Sequence, residues 1–209
     1  QLMLKMLNDV YEFNSNYPKK QLKGIIESMK LIDRKIFVPK ELENSAYDDA
    51  PLPIGVGQTI SQPSTVARML LLLELKKAHD ILEIGAGSGW NASLLAYLAY
   101  PGRVIAAERI DFLTNNAKKN IEKLKKHFPA VKGRLSRLTL KTEDALDKKS
   151  NIWKRKYDRI IITAGIERND AKTNNLIQKM ASQILKEEGI LICPLTLGPL
   201  QIYRKNKTL

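Results

Sequence analysis

Ile81-Leu82-Glu83-Ile84-Gly85-Ala86-Gly87-Ser88-Gly89-Trp90 is an apolar run that ends in alternating glycines, and Asn91, Leu94, Leu95 and Leu98 follow it at helical spacing. That succession predicts a buried strand, a tight turn and a helix N-terminus, a geometry that holds nucleotide-like ligands. Glycines in such a turn permit backbone angles and a close approach that a Cβ blocks. The spacing is G-x-G-x-G, whereas the dinucleotide fingerprint is G-x-G-x-x-G and uses the helix start to hold a pyrophosphate. Glu83, just before the first glycine, is a poor neighbour for phosphate. A carboxylate there suits a ligand with a positive charge or with hydroxyl and amino donors. S-adenosylmethionine has all of these and no phosphate.

A second carboxylate agrees with this reading. Residues 104–107 form the next apolar run, and Glu108 stands at its end, about twenty residues past the glycine turn. An acidic side chain at that position grips a ribose diol. Further apolar runs at 80–84, 138–141, 157–163 and 190–194 alternate with helical patterns at 91–99, 113–127 and 174–185, with an irregular piece after Asp144. Short apolar strands separated by helices predict an α/β fold, a mostly parallel sheet covered on both faces. Ligands in such sheets sit at the C-terminal strand ends, where Glu83, Glu108, Asp144 and Thr163 fall. Residues 201–203 add a last strand, and the tail Arg204-Lys205-Asn206-Lys207 is expected to fray.

Upstream, helical patterns run over 2–13, 21–29 and 64–75. Between the last two, residues 46–63 hold three prolines and two glycines, too many for a regular element. Leu52, Ile54, Val56 and Ile60 still require burial, so this stretch reads as an ordered loop packed on the domain. The expected division is residues 1–63, added helices and a site loop, and 64–209, the core, in one compact unit.

With 209 residues the chain is long enough for one domain with a full core. No run of eighteen apolar residues is present, and the N-terminal stretch lacks the pattern of a signal peptide. A single cysteine, Cys193, forms no internal disulfide, and a cytoplasmic location is expected. The net charge of +13 would draw anionic partners of any kind. Lys118, Lys119, Lys123, Lys125 and Lys126 carry much of it without the interleaved aromatics of a stacking platform, so a solvated face is expected and nucleic acid is not. His79 and His127 lie outside the glycine region and read as surface residues.

The stretch Leu52-Pro-Ile-Gly-Val-Gly-Gln-Thr-Ile-Ser-Gln-Pro63, followed by Leu82-Glu-Ile-Gly-Ala-Gly-Ser-Gly-Trp90, resembles the protein-L-isoaspartate O-methyltransferase family. Phe37-Val-Pro39, Ala46-Tyr47, residues 104–109 and Tyr157-Asp-Arg-Ile-Ile-Ile-Thr-Ala164 share the likeness, which covers about 21–200. The resemblance implies a Rossmann-like methyltransferase with added N-terminal helices. Its implied activity is methylation by S-adenosylmethionine of the free α-carboxylate of L-isoaspartyl residues in damaged proteins, a repair reaction that needs no metal. It also implies roles for particular residues. Glu83, Gly85, Gly87, Ser88 and Gly89 would hold the methionine side of the cofactor, Glu108 with Arg109 the ribose, and Asp144 with Ala145 the adenine. Thr163 would close the pocket, while Thr59, Ile60 and Ser61 would flank the sulfonium and the substrate carboxylate. Two departures bear on substrate choice. Residues 165–168 read Gly-Ile-Glu-Arg where the family has small residues and a proline, and 193–196 read Cys-Pro-Leu-Thr in place of Pro-Val-Gly.

A carboxylate is ionised near neutral pH, so this chemistry asks for alignment rather than a strong base. Ser61 has no histidine partner and reads as a hydrogen-bond donor, or else as a cap for the helix near Ser64. Isoaspartyl peptides and proteins are the expected partners, and a monomer with no membrane contact is expected. The alternatives are a methyltransferase of related fold acting on RNA or a small carboxylate, and a cofactor-binding module that has lost catalysis.

Overall fold

The computed structural model describes residues 1–167, 169–196 and 198–206. Two helices come first, α1 (Leu2–Phe13) and α2 (Lys19–Leu31), followed by the hairpin β1 (Leu52–Gly55) and β2 (Gln58–Ile60), and then α3 (Pro63–Leu72). From there β3 (Ile81–Ile84), α4 (Trp90–Ala99), β4 (Val104–Glu108), α5 (Asp111–His127), β5 (Leu138–Thr142) and β6 (Tyr157–Ile162) alternate. The chain closes with α6 (Ala171–Gln183), β7 (Leu185–Pro194) and β8 (Leu200–Arg204).

Six strands form one sheet in the order β5-β4-β3-β6-β7-β8, parallel except for the last pair. This is the mostly parallel sheet that the alternation of strands and helices implied and the Rossmann-like arrangement that the resemblance implied. The chain moves outward from β3 through β4 to β5, then returns to β6 on the other side of β3. The switch point therefore lies between β3 and β6, whose carboxyl ends separate to leave a crevice.

The period of two along each strand assigns its residues to the two faces. Ile81 and Ile161 face a core shared with α1–α5, which includes Leu22, Met29, Leu70, Trp90, Leu94 and Leu124. Leu82, Ile84, Ile160 and Ile162 face a second core with Ile177 and Met180 of α6. Glu83 sits in the middle of β3, between Ala106 and Ile161 of the flanking strands, on the same side as α4. No helix among the described residues is long and apolar enough to cross a membrane.

Several sequence expectations are corrected. The proline-rich stretch does contain regular structure, the β1–β2 hairpin, with Leu52 opposite Ile60 and Pro53 opposite Thr59. Pro53 is tolerated because a two-stranded ribbon has free edges where no N–H is required. The connecting Val56 and Gly57 both have positive φ, 46° and 69°, as in the tight turns whose twist suits a hairpin. Val56 at this tip is 56% exposed rather than buried, while Leu52, Ile54 and Ile60 are buried. The third helix ends at Leu72, short of 75, and the last parallel strand begins at Leu185, where its helix has already stopped at Gln183. The expected fraying of the tail is also wrong for its first residues. Arg204 is the last residue of β8 and pairs with Glu74 at 2.7 Å, and Lys205 N–H donates to Gly189 O at 3.1 Å. Lys207 and Arg168 lie outside the described residues.

Candidate active site

The crevice at the switch point holds two adjoining cavities. The larger, about 340 Å³, is lined by Glu108, Arg109, Asp144, Ala145, Thr163 and the glycine turn. The smaller, about 30 Å³, is lined by Ile60, Ser61, Glu83, Ser88, Trp90 and Asn91. Thr59, Gly85, Gly87 and Thr163 border both. Twelve of the thirteen residues singled out from the sequence therefore converge here. Gly89 does not: a Cβ at that position would meet Ala117 Cβ at 3.1 Å, so it serves the close packing of α4 on α5.

Gly85 is where the turn has least room. Its φ is +92°, and a Cβ there would stand 2.9 Å from Ala164 N and 3.3 Å from Thr163 Oγ1. The Thr163 hydroxyl donates across the switch point to Gly85 O at 2.6 Å, which joins the end of β6 to the turn. Glu108 closes the turn from the other side. Gly87 N–H donates to Glu108 Oε2 at 3.1 Å, and Ile110 N–H donates to its Oε1 at 3.0 Å. Both carboxylate oxygens thus hold backbone while one side of the group still borders the larger cavity. Asp144 is exposed, and its Oδ1 accepts from Leu146 N–H at 2.9 Å. The Ala145 carbonyl beside it accepts from Trp153 Nε1 at 3.0 Å, which gives that tryptophan a supporting place behind the cavity wall.

Glu83 has no solvent exposure at all. Asn91 Nδ2 donates to its Oε1 at 2.8 Å, and the Thr163 hydroxyl is 3.4 Å away. Burial pushes the carboxyl up to about 7, only partly opposed by the Asn91 and Thr163 hydrogen bonds, and the Glu108 charge adds to the rise. Glu83 Oε2 and Asn91 Oδ1 are buried acceptors with no hydrogen-bond donor among the described residues. A buried corner of unmatched acceptors fits a cationic, N–H-bearing group, as a methionyl ammonium is, and would repel a phosphate.

On the hairpin side Thr59 is exposed, Ser61 is half-buried and Ile60 is buried. Ser61 does not cap α3: the N-cap is Gln62, without a side-chain cap bond, and Pro63 occupies the first turn. His79 precedes β3 at the opposite end of the sheet, and burial first, then Arg159, lowers its pKa to about 4. His127 closes α5. Neither ring borders the cavities. Cys193 is buried in the sheet, where desolvation pushes its thiol up to about 12.

Sequence reasoning missed Asn91, which it read only as the start of a helix. The available signal was a lone amide at the head of an otherwise apolar helix, eight residues from a carboxylate in a buried strand. Asp170 and Thr173, at the start of α6, also border the larger cavity and carried no motif.

A family model described as Protein-L-isoaspartate(D-aspartate) O-methyltransferase matches residues 8–208. A protein-L-isoaspartate O-methyltransferase of Ignicoccus hospitalis is 35% identical over 178 residues, 85% of this chain and 75% of that protein. One from Aeropyrum pernix is 50% identical over 100 residues, 47% of this chain and 38% of that protein. The match covers 51% of a Fervidobacterium nodosum relative, so the chain spans about half the length of several curated relatives it matches. A solved Plasmodium falciparum structure, described as a candidate member of that family in complex with S-adenosyl-L-homocysteine, superposes with a TM-score of 0.71 at 21% identity. It covers 97% of this chain and 89% of that one, and it supports the fold.

Proposed function

The chain belongs to the protein-L-isoaspartate(D-aspartate) O-methyltransferase family, and from that premise we propose that it methylates the free α-carboxylate of L-isoaspartyl residues with S-adenosylmethionine. The observation that carries the reading is the pairing of two acidic groups around one glycine turn. Glu83 is buried with an unmatched acceptor, and Glu108 borders the roomier cavity with its oxygens on the turn backbone. The first suits an ammonium, the second ribose hydroxyls, and neither suits a phosphate.

When bound, S-adenosylmethionine supplies a methyl group on a cationic sulfonium, which a carboxylate oxygen takes in line to leave a methyl ester and a neutral thioether. The chain's own residues bind, orient and exclude water. Glu83 and Asn91 hold the amino-acid end, Glu108 with Arg109 the ribose, and Asp144 with Ala145 flank the base. Thr59, which borders both cavities, and Ser61, which borders the smaller one, donate to the substrate carboxylate and aim one of its oxygens. No residue needs to remove a proton, because the nucleophile is already ionised. Alignment in a partly dry site then supplies most of the rate.

Incubation with methyl-labelled cofactor and a short isoaspartyl peptide tests this. Label should appear on the peptide and depend on Glu108. Label on RNA alone would overturn the reading.

A further inference from the structure

Arg34 is a fully buried cation that the reaction above does not use. It opens the short 3₁₀ turn Arg34–Phe37, after α2. Its Nη1 donates to the carbonyls of Ala46 at 2.7 Å and Asp48 at 3.2 Å, and its Nη2 to those of Ala50 at 2.9 Å and Ser61 at 3.1 Å. The guanidinium carbon lies 5.5 Å from the centroid of the Trp90 ring, and Trp90 Nε1 donates to Ile32 O at 2.9 Å. One planar fork thus joins the stretch before the hairpin, the hairpin's exit at Ser61 and the first residue of α4. Burying such a charge is costly, and its pKa falls to about 10 through desolvation even with Asp49 and Asp48 nearby.

The segment just past Ser61 is held independently. Ser64 N–H donates to Asp49 Oδ1 at 2.8 Å, and Ser64 Oγ and Gln62 Nε2 donate to Asp49 Oδ2 at 2.7 and 2.9 Å. Ser61 therefore carries one anchor on its own carbonyl and has the second just past it at Gln62 and Ser64, and both tie it to the 46–50 stretch. On the facing side Trp90 borders the smaller cavity together with Ser61 and Glu83.

We propose that Arg34 is a positioning residue for methyl transfer: its fork, set over the Trp90 ring and bonded to Ser61 O, fixes the Ser61 hydroxyl relative to the cavity that holds the cofactor's amino-acid end. This inference rests on the reading of the site given above. Lysine cannot replace the fork, because one ammonium with three donors cannot span four carbonyls in a plane or stack on an indole. An error of about 1 Å in the oxygen's approach costs about 100-fold in rate.

The test compares wild type with Arg34→Lys at a temperature where both are folded, measuring kcat on isoaspartyl peptide, the Kd for S-adenosylhomocysteine and amide exchange. In Arg34→Lys, kcat should fall about 10- to 100-fold while Kd stays within about threefold. Exchange at residues 58–62 should quicken while β3 and α4 keep wild-type rates. Should Arg34→Lys fail to fold, Trp90→Phe takes its place; it loses the Ile32 bond and weakens the contact with Arg34, and because Trp90 opens α4 and borders the smaller cavity only exchange at 58–62 is read, which should quicken by less. Unchanged exchange at 58–62, or a fall in kcat that only follows the folded fraction, would overturn the proposal. Inactivity of the wild type itself would instead count against the assigned reaction, and the exchange data would still decide whether Arg34 holds the Ser61 segment.

Discussion

Asn91 Nδ2 donates to Glu83 Oε1 at 2.8 Å, a bond between two buried side chains that ties the first turn of α4 to the centre of β3. It leaves Glu83 Oε2 and Asn91 Oδ1 without donors among the described residues, and both residues border the smaller cavity.

If Glu83 takes the cofactor's ammonium as proposed, that arrangement should make cofactor binding depend on pH. Burial raises the Glu83 pKa from 4.5 to about 7, so the ligand-free folded state binds a proton that the unfolded chain has lost between those values. Stability of the ligand-free protein from this group is therefore greatest below about pH 4.5 and declines as pH rises toward 7. An ammonium selects the ionised carboxylate, so affinity for S-adenosylhomocysteine should rise roughly tenfold from pH 6 to pH 8, with proton release near pH 6. Glu83→Gln should flatten that profile and raise the melting temperature of the ligand-free protein at pH 8. Calorimetry in buffers of different ionisation enthalpy reads the proton directly, and a pH-independent wild type would contradict the assignment.

Glu108 holds the backbone of the turn, since Gly87 N–H and Ile110 N–H both donate to it, and in the proposed reading it also takes the ribose. Glu108→Ala should cost on the order of 1.5–3 kcal/mol in cofactor binding by calorimetry, from lost charge-assisted bonds and a loosened turn. Unchanged affinity would remove Glu108 from the site.

The glycines differ in a way that stability measurements can separate. Gly85→Ala places a Cβ 2.9 Å from Ala164 N at a φ of +92° and should destabilise by roughly 1–3 kcal/mol. Gly24, inside α2, has nothing within 4 Å of an added Cβ, so Gly24→Ala should stabilise by about 0.5–1 kcal/mol. Thermal denaturation of the two variants checks the contrast, and equal shifts would argue against a crowded switch point.

On α5 the lysines 118, 119, 123 and 126 are exposed. If this is a solvated face, Lys119→Glu combined with Lys126→Glu should leave peptide methylation within about twofold of wild type. A large, salt-dependent loss would reveal an anionic partner bound there.

How far the sequence could be read follows from which signals are local. The glycine turn, Glu83 and Glu108 stand in one strand-turn-helix-strand unit, so spacing alone brings them together. The hairpin was illegible because Pro53 and Gly57 look like breakers, while their pairing depends on a two-residue turn and a free edge. Arg34 was passed over because its partners lie 12 to 27 residues away and are carbonyls, which no residue type announces. The ordered start of the tail was missed for a similar reason, since Arg204 meets Glu74 across 130 residues. Asp170 and Thr173 enter the site only because α6 begins at the cavity rim.

The most direct test of the central claim is methyl transfer to paired peptides that differ only in an isoaspartyl or a normal aspartyl linkage. The extra backbone methylene presents an α-carboxylate on a short arm, which Thr59 and Ser61 would receive. The isoaspartyl peptide should take the label, the aspartyl peptide little, and mild base should release the label as methanol because the product is an ester. Ser61→Ala should lower turnover more than cofactor affinity. Base-stable label would contradict carboxylate methylation, and equal label on both peptides would contradict the isoaspartyl selectivity, pointing to residues 165–167 as the place where it was lost.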